Sequence, residues 1–306
     1  MSVMESKIKR AEARLREDPY EGHQMIRTLV NRLVMSKKYD DSIGLLYSGA
    51  KTLFELQQSG SAGDLSIYLI DVYIKASTSV SADYKAKALA LLGSFPSEEG
   101  SRKQYVKKLL EWANCTGPQG DCDIHASVGI MLMKWGDPVS AERHLVVGNE
   151  KCPAFYAQML FNWANTSKNE DPALFIGRAV LKYLLVGSPA NALQCLTIFM
   201  QLFERSGHSP DETFSIDGIR IPVFNSYPYL NYLHLLILAA YRKDKETYLS
   251  LSQKYPKKPE WESALTKVEE AYFGIRPVNT QPNMLANLMS SLFNNSSGGG
   301  NAIDLE

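Results

Sequence analysis

Apolar residues recur at helical spacing along almost the whole chain, and the interruptions are short and built to turn one helix directly into the next. Ile8, Ala11 and Leu15 form one stripe, and Met25, Leu29, Leu33 and Val34 form another. Ile43, Leu46, Ala50 and Leu53 follow, then Leu65, Leu69, Val72, Tyr73 and Ala76. Steps of three and four put each set on one side of a 3.6-residue turn, so each predicts a helix with one buried face. The pattern continues through Tyr84, Ala88, Leu91 and Leu92 and through Tyr105, Leu109 and Trp112. Beyond it, helices are predicted over 124–135, 138–147, 153–164, 172–186, 189–204, 227–242, 243–255 and 260–273.

Gly136-Asp137-Pro138 and Gly187-Ser188-Pro189 each close one helix and open another. Proline is accepted in a first helical turn, where its missing N–H is not needed, and Asp137 and Ser188 stand where an N-cap belongs. The two breaks lie 51 residues apart, each followed by an alanine three positions after its proline (Ala141, Ala192). Lys37–Asp41 is a comparable turn nearer the N-terminus. Antiparallel helix pairs at a loose repeat predict an all-α fold, an α-solenoid of tetratricopeptide-like helix pairs without the strict tetratricopeptide signature. A compact bundle of the same helices is the alternative. The expected division is one continuous solenoid over 1–275 and a flexible Asn/Ser/Gly-rich tail over 276–306, within which Met284, Leu285, Leu288, Met289, Leu292 and Phe293 make a short amphipathic segment. That segment either docks on a partner or folds back on its own domain.

One stretch departs from helical period. Phe214–Phe224 alternates apolar and polar residues around Asp217-Gly218, a two-residue hairpin signal, and Pro222 confines its strand to an edge. A lone hairpin is marginal in water, so it must pack on its own helices or on a partner.

Thirty-three basic residues cancel thirty-three acidic ones, which leaves no overall field for nucleic acid or an anionic membrane. The most apolar window, Tyr229–Tyr241, is 13 residues long and carries Asn231 and His234, too short to span a bilayer. The charged N-terminus carries no secretory core, and four cysteines are too few for a disulfide scaffold, so a cytosolic chain is expected. Without a leader, Asn114-Cys-Thr and Asn165-Thr-Ser are chance matches to glycosylation acceptors.

Motifs of catalysis are missing: neither a phosphate-binding glycine loop, nor a dinucleotide fingerprint, nor a zincin helix, nor a nucleophile elbow occurs. Cys115-x6-Cys122-x2-His125 is the best metal candidate, but its first gap is too wide for a zinc pair, and Cys152 and His144 would join only by tertiary placement. Cys195 reads as core and His234 as a hydrogen-bonded core histidine. No cofactor and no enzymatic activity are expected. Near the N-terminus His23, Arg27, Arg32, Lys37 and Lys38 surround two adjacent helices, with Asp64 and Asp71 on a later one. They form either a solvated face or a charged docking surface for a protein.

The chain resembles the Golgi-to-ER traffic protein 4 family. The residues that carry the resemblance are Gly22-His-Gln-Met-Ile-Arg-Thr-Leu-Val-Asn-Arg32, Ser36-Lys-Lys-Tyr39, Gln58–Leu65 leading to Tyr68-Leu-Ile-Asp-Val-Tyr73, Gly136-Asp-Pro with Ala141-Glu-Arg-His144, Asn225 with Leu230–Leu236, and Asn283–Phe293. Their order and spacing span essentially the full length, and the stretch 77–120 is the weakest part, from which nothing is carried over. The resemblance implies a cytosolic, non-catalytic adaptor in the targeting of tail-anchored membrane proteins to the ER. Its partners would be a ubiquitin-like protein of the Golgi-to-ER traffic protein 5 type, a targeting ATPase of the Golgi-to-ER traffic protein 3 type and, indirectly, a tetratricopeptide co-chaperone. By the same resemblance His23, Arg27, Arg32, Tyr39, Asp64 and Asp71 would face the ATPase. Phe214, Ile216, Ile219, Ile221 and Val223 of the hairpin, with Tyr229, Leu230, Leu233, Leu236 and the last helix, would clasp the ubiquitin-like partner. A scaffold subunit like those of the proteasome lid or signalosome is the rival, although such subunits usually end in a winged-helix module that this sequence does not suggest.

Overall fold

A computed structural model describes residues 3–116, 120–167, 170–216 and 218–276. Most of the tail predicted from residue 276 onward, including the amphipathic segment 284–293, lies outside the described residues. Fourteen α-helices run through the described chain: α1 Val3–Glu17, α2 Pro19–Met35, α3 Tyr39–Glu55, α4 Ser59–Lys75, α5 Ala82–Ser94, α6 Arg102–Ala113, α7 Cys122–Lys134, α8 Pro138–Val147, α9 Cys152–Thr166, α10 Pro172–Leu185, α11 Pro189–Arg205, α12 Pro228–Arg242, α13 Lys245–Lys254 and α14 Glu262–Phe273. Two strands, β1 Glu212–Ile216 and β2 Ile219–Val223, stand between α11 and α12. The fold is the expected α-solenoid with one inserted hairpin.

The helix reversals have a common cause. At the ends of α2, α3 and α4 the chain passes through the left-handed region at Lys37, Gln57 and Ser77, with φ of 58°, 59° and 51°. The next amide then donates back across the last turn: Lys38 N to Leu33 O at 2.9 Å, Gln58 N to Leu53 O at 2.8 Å and Thr78 N to Tyr73 O at 3.0 Å. This Schellman arrangement satisfies the terminal carbonyls and reverses the chain within three residues. Gly136 and Gly187 do the same at φ of 78° and 76°, with Asp137 N on Leu132 O and Ser188 N on Tyr183 O, both at 2.9 Å. Asp137 caps α8 as expected, its carboxylate accepting from Ser140 N at 3.1 Å. Ser188 occupies the N-cap position, but its side chain makes no capping bond.

Tight reversals make consecutive helices antiparallel and alternate helices parallel neighbours. α1, α3, α5, α7, α9 and α11 touch in sequence as one row, while α2, α4 and α6, and then α8, α10 and α12, make up the other. Two buried clusters fill the space between the rows. One draws on α1 to α7, the other on α7 through α14, and Leu132 of α7 packs against both. In the second row Glu142 of α8 is almost wholly buried, and Arg178 of α10 grips it through Nε and Nη2, both at 2.9 Å, with Lys182 as a further donor. Burial pushes the Glu142 carboxyl up, and those donors more than offset it, so it is held below the usual carboxylate range.

The hairpin is antiparallel, with Phe214 opposite Ile221 and Ile216 opposite Ile219. β2 packs on α12, burying Ile221 and, just beyond the strand, Phe224. Asn231, the polar interruption in the apolar run, accepts from Phe224 N at 3.0 Å and donates to Phe224 O at 2.9 Å, fastening the hairpin's exit to α12. Arg220 fastens the same strand to Glu204 of α11, at 2.8 and 3.1 Å.

A side chain in the left-handed region costs roughly 1 kcal/mol that glycine avoids, partly offset by the greater chain entropy glycine loses on folding. Lys37→Gly, Gln57→Gly and Ser77→Gly are each expected to raise unfolding free energy by a few tenths to about 1 kcal/mol in urea titrations, whereas Gly187→Ala lowers it by about 1 kcal/mol.

Candidate interaction surfaces

Helices α2 and α4 lie side by side in one row, and their parallel course brings residues about forty positions apart in sequence onto one surface. Gly22 permits the close approach of α1 beneath it, since a Cβ there would meet Leu15 Cα and N at 2.5 Å. One residue on, His23 is nearly buried and its Nε2 donates to Asp64 Oδ2 at 2.8 Å. Arg27, one turn further along α2, also donates to Asp64, through Nη1 to both carboxylate oxygens. Partial burial pushes the Asp64 carboxyl up, but the hydrogen bonds and charges of Arg27 and His23 prevail and hold it below the usual carboxylate range. Arg27 and Asp64 remain 41% and 40% exposed, so the cluster is both fixed and readable from outside.

Three partners of this cluster were not singled out in the sequence. The Arg27 guanidinium lies 5.7 Å from the Tyr68 ring centroid, and Tyr68 Oη donates to Asn31 Oδ1 at 2.5 Å. Lys108 of α6 binds Asp71 at 2.9 Å and extends the charged band into a third helix. A signal for Tyr68 and Asn31 did exist: Asp64, Tyr68 and Asp71 are four and three apart, and Arg27 and Asn31 are four apart, each set on one helix face. Arg32, exposed near the end of α2, and Tyr39, half-buried at the start of α3, have no hydrogen bond or ion pair to the cluster among the described residues. Lys37 and Lys38 are exposed in the turn between them.

At the hairpin the picture is divided. Phe214 is 52% exposed, Ile216, Ile219 and Val223 are half-buried, and Ile221 is buried against the body. Leu230, Leu233 and Leu236 are fully buried within the chain's own core. The expectation that these three leucines present a surface to a partner is therefore corrected. The apolar run of α12 is covered by α10, α11 and α13, and its hydrophobicity reflects a central place in the second core. Ile221 is corrected likewise, because it is the residue by which β2 packs inward. Tyr229 is half-buried and engaged within the chain: its hydroxyl donates to Pro256 O at 2.9 Å and Lys258 Nζ lies 4.1 Å over its ring. The outward surface that remains is β1 with the tip of β2.

Two of the cysteines and three of the histidines take structural places. Cys152 and Cys195 are buried, and burial pushes the Cys152 thiol up to about 11 and the Cys195 thiol higher still. His125 and His144, nineteen residues apart, stack with Nδ1 atoms at 2.9 Å. Burial, with His125 and Arg143 nearby, lowers His144 to about 4. His234 is fully buried as expected, but neither ring nitrogen has a hydrogen-bond partner, which corrects its reading as a satisfied core histidine. Burial lowers it to about 4. Among the described residues, no three His, Cys, Asp or Glu side chains are grouped to hold a metal, and no helix is long and apolar enough to cross a membrane.

Comparison with known proteins gives one consistent result. The family model described as Golgi to ER traffic protein 4 matches residues 36–293. Golgi to ER traffic protein 4 of Schizosaccharomyces pombe is 59% identical over 303 residues, covering 99% of this chain and 100% of that one. The protein of the same name from Aspergillus fumigatus is 31% identical, covering 94% and 90%. The crystal structure of C. therm. Get4 superposes with a TM-score of 0.84 at 30% identity, covering 100% of both chains.

The two depressed histidines set an acid limit. An unfolded imidazole binds its proton near 6.5 and these bind theirs near 4, so between those values the unfolded chain carries more protons. The histidine contribution to stability is thus expected to be flat above pH about 6.5 and to fall as pH drops toward 4, at roughly 1.4 kcal/mol per pKa unit for each histidine. His234→Leu, which removes two unpaired buried nitrogens, is expected to raise stability at pH 7 by about 1 kcal/mol and to shrink the acid-dependent loss, as read by denaturant titration across pH.

Proposed function

The chain belongs to the Golgi to ER traffic protein 4 family, and from that premise we propose that it works as a non-catalytic adaptor in the delivery of tail-anchored membrane proteins to the ER. In this reading the α2–α4 surface engages the targeting ATPase, and the outward face of the hairpin, with α14, engages a ubiquitin-like partner that leads to a tetratricopeptide co-chaperone. Residues 1–275 act as one solenoid whose N-terminal half faces the ATPase and whose C-terminal half holds the partner, and the protein acts in the cytosol. A scaffold of antiparallel helix pairs suits an adaptor, which needs only to hold partners in register.

The observation that best supports the ATPase-facing role is the His23–Asp64–Arg27 cluster. Two side chains of α2 converge on one half-exposed carboxylate of α4, which fixes the direction of a charge pair at the surface. Such a pair gives a transient partner orientation and on-rate at little cost in reorganisation. The hairpin supports the second role differently. Phe214 and Ile216 lie on a strand whose outer edge is unpaired, and apolar side chains beside free backbone donors and acceptors suit a lasting interface.

Arg27→Glu and Asp64→Lys are expected to weaken binding of the targeting ATPase at least tenfold at low salt and less at high salt, since exposed charge contacts are screened. Thr28→Ala on the neighbouring surface should leave it unchanged, and equal damage from that variant would remove the electrostatic account. Phe214→Asp combined with Ile216→Asp is expected to abolish co-purification of the ubiquitin-like partner while circular dichroism stays helical; retention of the complex would sink the hairpin assignment.

A further inference from the structure

The second row of helices does not stack evenly. α4 packs on α6 and α8 packs on α10, but α6 and α8 make at most marginal contact, and a cleft of about 310 Å³ opens between them. Val106 of α6 and Leu132 of α7 give it an apolar side. Arg102 and Lys103, at the start of α6, and Arg143 of α8 give it three cations. Its one acidic wall residue, Asp137, is already committed to capping α8. Bonds from Ser140, against opposing burial and with Lys103 and Arg143 adding their charge, hold that carboxyl below the usual range. The wall therefore carries an excess of two positive charges over fixed negative ones.

Arg102 is the telling residue. Its guanidinium lies 5.2 Å from the Trp135 ring centroid, and its Nη1 is buried without a hydrogen-bond partner. A buried charged donor left unsatisfied is costly, and a planar guanidinium held on an aromatic face is preset to receive a carboxylate. The cleft is too small for a folded domain and wide enough for one or two side chains.

We propose that the α6–α8 cleft is a docking site for an acidic peptide segment of a protein partner, one in which a carboxylate side chain neighbours an apolar one. The carboxylate meets Arg102, Lys103 and Arg143, and the apolar neighbour rests on Val106 and Leu132. This site is separate from the α2–α4 cluster and from the hairpin, and it does not depend on which partners those surfaces hold.

The test uses the full chain and a fluorescein-labelled peptide of alternating glutamate and leucine, followed by fluorescence anisotropy. Saturable binding is expected, weakened at least tenfold by Lys103→Glu and by Arg143→Glu, both exposed positions at which folding is checked by circular dichroism. Lys245→Glu on α13, an exposed position on a helix assigned to no partner, makes the same change in net charge and should leave binding within twofold of the parent. No saturable binding, or equal loss in the Lys245 variant, overturns the proposal. Displacement of the labelled peptide by inorganic phosphate as readily as by unlabelled peptide would assign a free-oxyanion site and overturn it as well. A tenfold gain in peptide affinity on removing residues 277–306 would make the chain's own tail the occupant in place of a partner.

Discussion

The architecture depends on how its helices end. A helix leaves its last carbonyls without partners, and here they are satisfied within three residues by a backbone turn through the left-handed region, at Lys37, Gln57 and Ser77 and again at Gly136 and Gly187. Reversals as short as those between α2 and α3, α3 and α4, α7 and α8, and α10 and α11 leave the second helix no choice but to lie antiparallel against the first. Alternate helices then become parallel neighbours, which is why two side chains of α2 can share one carboxylate of α4 although some forty residues separate them. The surface chemistry of the N-terminal half is thus a product of turn geometry.

Helix positions were legible because their cause is local. Periodicity and the Gly-X-Pro breaks place the helices of the second half within a residue or two, and the hairpin follows from Asp217-Gly218 between alternating strands. Burial of individual residues was less legible because its cause is not local. Leu230, Leu233 and Leu236 look like an exposed seam when α12 is considered alone, since nothing in that run says that α10, α11 and α13 surround it. Asn231 seemed a simple interruption, yet it is the group that ties Phe224 to the helix. Of the two polar residues in this apolar run, Asn231 meets a backbone and His234 meets none.

The N-terminal cluster falls between these cases. His23 and Arg27 were visible by their spacing on one helix, and Asp64 by its place in a shared motif, but their convergence is a tertiary fact. Tyr68 and Lys108 carried weaker signals: one is an aromatic four residues from a key acid, the other a lysine in the stretch where the sequence resemblance was weakest. His125 and His144 show the same limit, since a pairing across a helix hairpin leaves no trace in either helix's own pattern.

The meeting of the two cores at α7 has a mechanical consequence. Elsewhere along the solenoid a bending load is shared by both rows of helices, but between α6 and α8 it falls on the row of α5, α7 and α9 alone. The expected weak point is therefore the middle of the molecule, where Leu132 packs against both cores. A solenoid built this way is expected to bend most easily between α6 and α8, where one row of helices is interrupted, before either half's interior is disturbed.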